Sequence, residues 1–163
     1  MPTIAMAGDD WKPIDPAELA MKDPVVEKGA DAEALLWEVK VADEVDGYSA
    51  RTVLNHYVRI KIFTERGRES QSKIDIPFLG GWSITDISAR TIKPDGTIVE
   101  IKKDDVLERL IVKEGGRKIK AKSFAMPAAE PGSIIEYRWR KYGRIKFPFI
   151  SGYTSNEMFR SKR

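Results

Sequence analysis

One stretch, Ala89-Arg-Thr-Ile-Lys-Pro-Asp-Gly-Thr-Ile-Val-Glu-Ile101, most narrows what this chain can fold into. Ala89 and Thr91 alternate with Arg90, Lys93-Pro94-Asp95-Gly96 interrupts them, and β-forming residues resume from Thr97 to Ile101. Proline presets φ for the first central turn position, and glycine accepts a left-handed conformation at the end, as a type I hairpin turn with a bulge requires. A second segment, Glu130-Pro-Gly-Ser-Ile-Ile-Glu-Tyr-Arg-Trp-Arg140, works the same way. Pro131 and Gly132 suit the centre of a type II turn, and Ser133 to Lys141 reads as a strand rich in β-branched and aromatic residues. Neither segment carries a nucleophile, a metal-ligand set or a phosphate loop.

The rest of the chain keeps the period of two. Leu35, Trp37, Val39 and Val41 alternate with Leu36, Glu38 and Lys40, giving one strongly apolar face. A long strand is expected from about Tyr48 to Thr64, with Leu54, His56, Val58, Ile60 and Ile62 toward the core and Glu65 to Arg68 ending it. Shorter strands are expected over Ile74–Phe78 and Trp82–Lys93. Asp104 to Val112 fits either a helix or an irregular strand. Lys118, Lys120 and Lys122 alternate with Ile119, Ala121 and Ser123, so that strand has one solvated face that resists edge-to-edge pairing. Before position 30 the pattern is an arm with one short helix: Asp15 caps it, Pro16 takes its first position, and Glu18 stands at capping-box spacing.

Many short strands with little helix predict an all-β chain, an antiparallel β-sandwich with a short N-terminal helix and irregular ends. The expected division is an arm over 1–30, the sandwich over 31–147 and an irregular tail over 148–163 that reads as truncated. Ala5-Met6-Ala7 followed by Gly8-Asp9-Asp10 resembles the end of a signal-peptide cleavage region, read as the remnant of an export signal whose start is missing. An ordinary small-residue terminus fits that pattern equally well. No run reaches the roughly 20 apolar residues of a membrane-spanning helix.

The chemistry is sparse. With no cysteine, the chain has no disulfide framework, thiolate metal site or cysteine nucleophile. His56 is the sole imidazole and, flanked by Leu54 and Val58 on its face, reads as a packed histidine rather than a catalytic one. Asp104-Asp105 reads as a solvated turn rather than a cation site, and Glu100, Glu108 and Glu136 show no spacing that pairs them across a cleft. The 28 basic residues exceed the 25 acidic ones by only three, which disfavours a polyanion-binding face. Tyr137-Arg-Trp-Arg-Lys-Tyr142 interleaves rings and cations, yet alternation puts Tyr137 and Trp139 on one face and Arg138 and Arg140 on the other. Nucleic acid is therefore a weak candidate, and no catalytic, metal or cofactor-binding residue is expected. Trp11, Trp82 and Trp139 would have to gather on the surface to serve a glycan or peptide.

In order, Ala32-Glu-Ala-Leu-Leu36, Tyr57-Val-Arg-Ile-Lys-Ile-Phe63, Ala89-Arg-Thr-Ile-Lys-Pro-Asp-Gly96 and Glu130-Pro-Gly-Ser-Ile-Ile-Glu-Tyr137 resemble a bacterial domain of unknown function. That family lies ahead of transglutaminase-like domains in exported multidomain proteins. The resemblance covers roughly residues 30 to 142. It implies a noncatalytic, extracytoplasmic accessory or substrate-presenting module whose partner in cis is a downstream cysteine-protease-like domain with Cys, His and Asp. The segment after about Gly143 departs from the family pattern, and no catalytic residue carries over. An independent glycan- or peptide-binding module is the second expectation.

Overall fold

The computed structural model describes residues 11–46, 49–114 and 117–143. In chain order these form α1 (Pro16–Ala20), β1 (Ala32–Asp46), β2 (Ser49–Ile62), α2 (Glu65–Gln71), β3 (Lys73–Leu79), β4 (Trp82–Ile92), β5 (Ile98–Glu100), a 3-10 turn at Lys103–Asp105, β6 (Leu107–Glu114), β7 (Arg117–Ala125) and β8 (Ile134–Gly143). Two antiparallel sheets result, one ordered β1-β2-β8-β4-β5 and the other β3-β7-β6. The Ala5–Ala7 pattern and the 148–163 tail lie outside the described residues.

Both diagnostic turns form as their residues require. Gly96 has φ 85°, its N–H bonds Lys93 O at 2.8 Å, and Lys93 N–H bonds Thr97 O at 2.8 Å. Gly132 has φ 90°, and Ser133 N–H bonds Glu130 O at 3.0 Å. The turns also touch. A Cβ at Gly132 would lie 3.0 Å from Pro94 Cγ, and Lys93 Nζ stands 3.4 Å from Glu130. Together they anchor β4 and β8 side by side, in a register that sets Arg90 opposite Glu136 and Ala89 opposite Tyr137.

The core lies between the sheets. Val58, Ile60 and Ile62 of β2, Ala89 of β4 and Ile135 of β8 meet Ile74, Ile76 and Phe78 of β3 and Phe124 of β7. Alternation along β3 puts every second residue inward, and Pro77 is tolerated because β3 is an edge strand.

Several expectations change. The apolar face of β1 is not core: Trp37, Val39 and Val41 are exposed, because β1 is an edge strand beyond the reach of the smaller sheet. Conversely, β2 is buried on both faces from Tyr57 to Ile62, with Tyr57, Arg59 and Lys61 covered on the side away from the core, whereas Leu54 and His56, expected toward the core, are only half-buried. Glu65 to Arg68 follows the end of the strand as expected but also opens a helix, since the Thr64 side chain accepts from Gly67 N–H as an N-cap. There is room for that helix only with glycine at 67, where a Cβ would lie 2.1 Å from Asp31 O. Asp104–Val112 resolves into a 3-10 turn and a strand. The lysine-bearing strand β7 is the middle of its sheet, not an edge, and Glu108 of β6 receives Lys120 and Lys122. In α1, Asp15 caps Ala17 N–H, but Glu18 closes no capping box; its carboxylate reaches Arg59 instead.

Candidate functional site

The outer face of the larger sheet collects the densest chemistry. Cross-strand pairing sets Glu136 of β8 between Arg59 of β2 and Arg90 of β4. Arg59 Nε donates to Glu136 Oε1 at 2.7 Å, Arg90 Nε to Oε2 at 2.7 Å, and the Tyr57 hydroxyl to Oε1 at 2.6 Å. Glu136 is completely buried. A carboxylate there is tolerable only because charge-assisted donors occupy both oxygens.

The N-terminal arm closes over this cluster. Arg59 also donates to Glu18 at 2.7 Å and to the carbonyls of Lys12 and Pro13, each at 3.0 Å. Lys61 Nζ donates to the carbonyls of Leu19 at 2.7 Å and Gly132 at 2.6 Å. Burial pulls the Lys61 ammonium below its ordinary pKa. Burial first, and then the bond to Glu136, pushes the Tyr57 hydroxyl above its own. Two guanidiniums stand near Trp11, Arg90 at 4.5 Å and Arg138 at 4.8 Å from its ring centre, and the Tyr57 ring meets it edge-on with centroids 5.9 Å apart.

Two clefts share Asp86 and Ser88 on β4, and Trp11 lines the first of them. The larger, about 490 Å³, is lined by Trp11, Ile87, Ile101 and Val106 together with Glu100, Lys103 and Lys122. The smaller, about 410 Å³, carries Lys12, Lys40, Arg138 and Arg140 against Glu38 and Asp86. The β4 register slips between Thr85 and Ser88, and Asp86 has φ 52°. This bulge turns the strand where the clefts meet, a common place for a bulge to re-aim side chains.

The residues singled out by sequence are scattered. His56 stacks flat on Trp139, ring centroids 4.3 Å apart at 3°, and neither ring nitrogen has a partner among the described residues. Burial, then nearby Lys141, lowers its pKa. Asp105 accepts from Lys102 N–H at 2.8 Å within the 3-10 turn. Glu100 borders the larger cleft, Glu136 is locked in the buried cluster, and Glu108 lies on the other sheet, its pKa pulled to about 2 by Lys120 and Lys122. Of the tryptophans, Trp11 is on the outer face, while Trp82 and Trp139 pack against the inner core, so the three form no common platform. Trp82 covers Gly143, where a Cβ would lie 2.7 Å from its ring. Sequence reasoning missed the Arg59–Glu136–Arg90 cluster. The available signal was the alternation of Arg59 and Lys61 with Val58, Ile60 and Ile62 in β2, and of Glu136, Arg138 and Arg140 with Ile135, Tyr137 and Trp139 in β8.

Residues 49–162 match the family model described as a domain of unknown function with solved structure (DUF3857). No curated protein matches the chain. Among solved structures, the chain is similar to a protein of Parabacteroides distasonis that carries a provisional protease assignment, with TM-score 0.57 and 18% identity. The similarity covers 70% of this chain and 23% of that one. A family 3a carbohydrate-binding module from the cipA scaffolding of Clostridium thermocellum aligns at 12% identity over 67% of this chain and 76% of that one, with a TM-score of only 0.28.

Proposed function

The chain belongs to the DUF3857 family, and from that premise we propose that it is a noncatalytic accessory module, working outside the cytoplasm beside a transglutaminase-like domain of the same polypeptide. The observation that carries this reading is that its fold recurs as 23% of a larger protein with a provisional protease assignment. The described polar groups support it. Glu136 is held by three donors, and Lys61 faces main-chain carbonyls, so both serve the scaffold rather than presenting a reactive atom. The cleft beside Trp11, lined by apolar side chains and by Glu100, Lys103 and Lys122, would hold a stretch of peptide substrate for the neighbouring domain.

Reading the coding DNA beyond Arg163 tests the role directly. An open frame encoding a Cys, then a His and an Asp in a transglutaminase-like arrangement is the expected result. A stop codon with no such domain removes the partner in cis. Among the described residues no helix is long and apolar enough to cross a membrane.

A further inference from the structure

We propose that β1 pairs edge to edge with β1 of a second copy of this chain, antiparallel about a twofold axis at Val39. β1 has one strand neighbour, β2, and among the described residues no other backbone group hydrogen-bonds residues 34–46. Its outward row of N–H and C=O groups is therefore left open by the described residues, and no proline interrupts the strand. Past the register slip at Ala34/Leu36 it runs regularly, with Trp37, Val39 and Val41 exposed on one face and Glu38 and Lys40 on the other.

The charges select the register. Self-pairing centred on Glu38 sets glutamates face to face, and centring on Lys40 does the same with lysines. Centring on Val39 puts Glu38 against the second copy's Lys40 and Trp37 against its Val41, each twice by symmetry. Opposite charges and an aromatic set against a β-branched residue are the favourable cross-strand pairs. The Lys40 side chain is 72% exposed and within its own chain pairs with Glu38 at 3.1 Å, so in the dimer it exchanges that carboxylate for the second copy's, while Lys12 stays on Glu38 at 2.5 Å. This contact does not depend on the role proposed above.

Sedimentation of the full 163-residue chain tests it. The expected particle has twice the 18.4 kDa chain mass, with association in about the micromolar range, since one strand edge is smaller than a standard interface. Lys40→Glu should weaken the dimer about tenfold or more, because both symmetric pairs become repulsive. Glu38→Lys should do the same. An equimolar mixture of the two variants should restore the dimer, because each then meets its opposite charge twice. A wild-type chain that stays monomeric at about millimolar concentration overturns the proposal, where any interface of useful strength would be occupied. So does a dimer indifferent to Lys40→Glu, or a mixture that stays monomeric when both variants show wild-type circular dichroism. If Glu38→Lys does not fold, Lys40→Glu alone decides the register.

Discussion

On β2 the cations Arg59 and Lys61 are 4% and 1% exposed, while one strand away on β1 Trp37 and Val41 are 69% and 60% exposed. Polarity alone would predict the reverse. The difference lies in what covers each face. Residues 12–19 of the arm lie over Arg59 and Lys61 and supply carbonyls and a carboxylate, whereas the three-stranded sheet covers the other face only as far as Val58, Ile60 and Ile62. A charged side chain can be buried when its cover brings partners, and an apolar one stays exposed when its sheet outruns the layer above it.

Glu136→Ala should break this contrast hardest. It leaves Arg59 and Arg90 buried without their carboxylate, at a cost of about 3–5 kcal/mol, read as a lower urea midpoint. An unchanged midpoint would mean that the cluster is wet. Gly96→Val should come next, costing about 1–2 kcal/mol because a β-branched residue resists φ 85°. Lys93→Ala in the same turn should be felt within about 0.5 kcal/mol, and equal melting temperatures for the two variants would remove the turn from the account.

The inner face offers a pH test. His56 has a lowered pKa because burial disfavours its charged form. Below 6.5 the unfolded chain therefore binds the proton first, so stability is full above that pH and falls as acid is added, down to the lower folded pKa. His56→Gln should flatten that slope in urea melts between pH 7 and 5, near the ordinary His range of about 6.5. A slope identical to that of the wild type would place the titrating group elsewhere. The smallest effect is expected at Val41→Thr, within about 0.5 kcal/mol in the monomer. A loss comparable to a core deletion would show that β1 is covered.

The two Pro-Gly turns were legible because they depend on local φ alone, and Gly96 and Gly132 adopt the positive values their positions demand. The all-β class followed from alternation. The side that alternation faces was less legible. Leu35 to Val41 has the pattern of a core face, and nothing in β1 itself reveals where the opposing sheet stops. The candidate site was hidden for a related reason. Arg59, Arg90 and Glu136 come from three strands, and Trp11 from an arm far away in sequence, so only the sheet order brings them together. The helix after Thr64 was missed because its seven residues are too few to show a period, leaving the Thr64 cap as its one local mark.

Covalent labelling of lysines in the intact chain, read by mass spectrometry, tests most directly whether the arm seals the charged face. Lys61, held between the carbonyls of Leu19 and Gly132, should react on the order of a hundredfold more slowly than the exposed Lys73 of β3, because labelling has to wait for the arm to open locally. Equal rates at Lys61 and Lys73 would contradict the account.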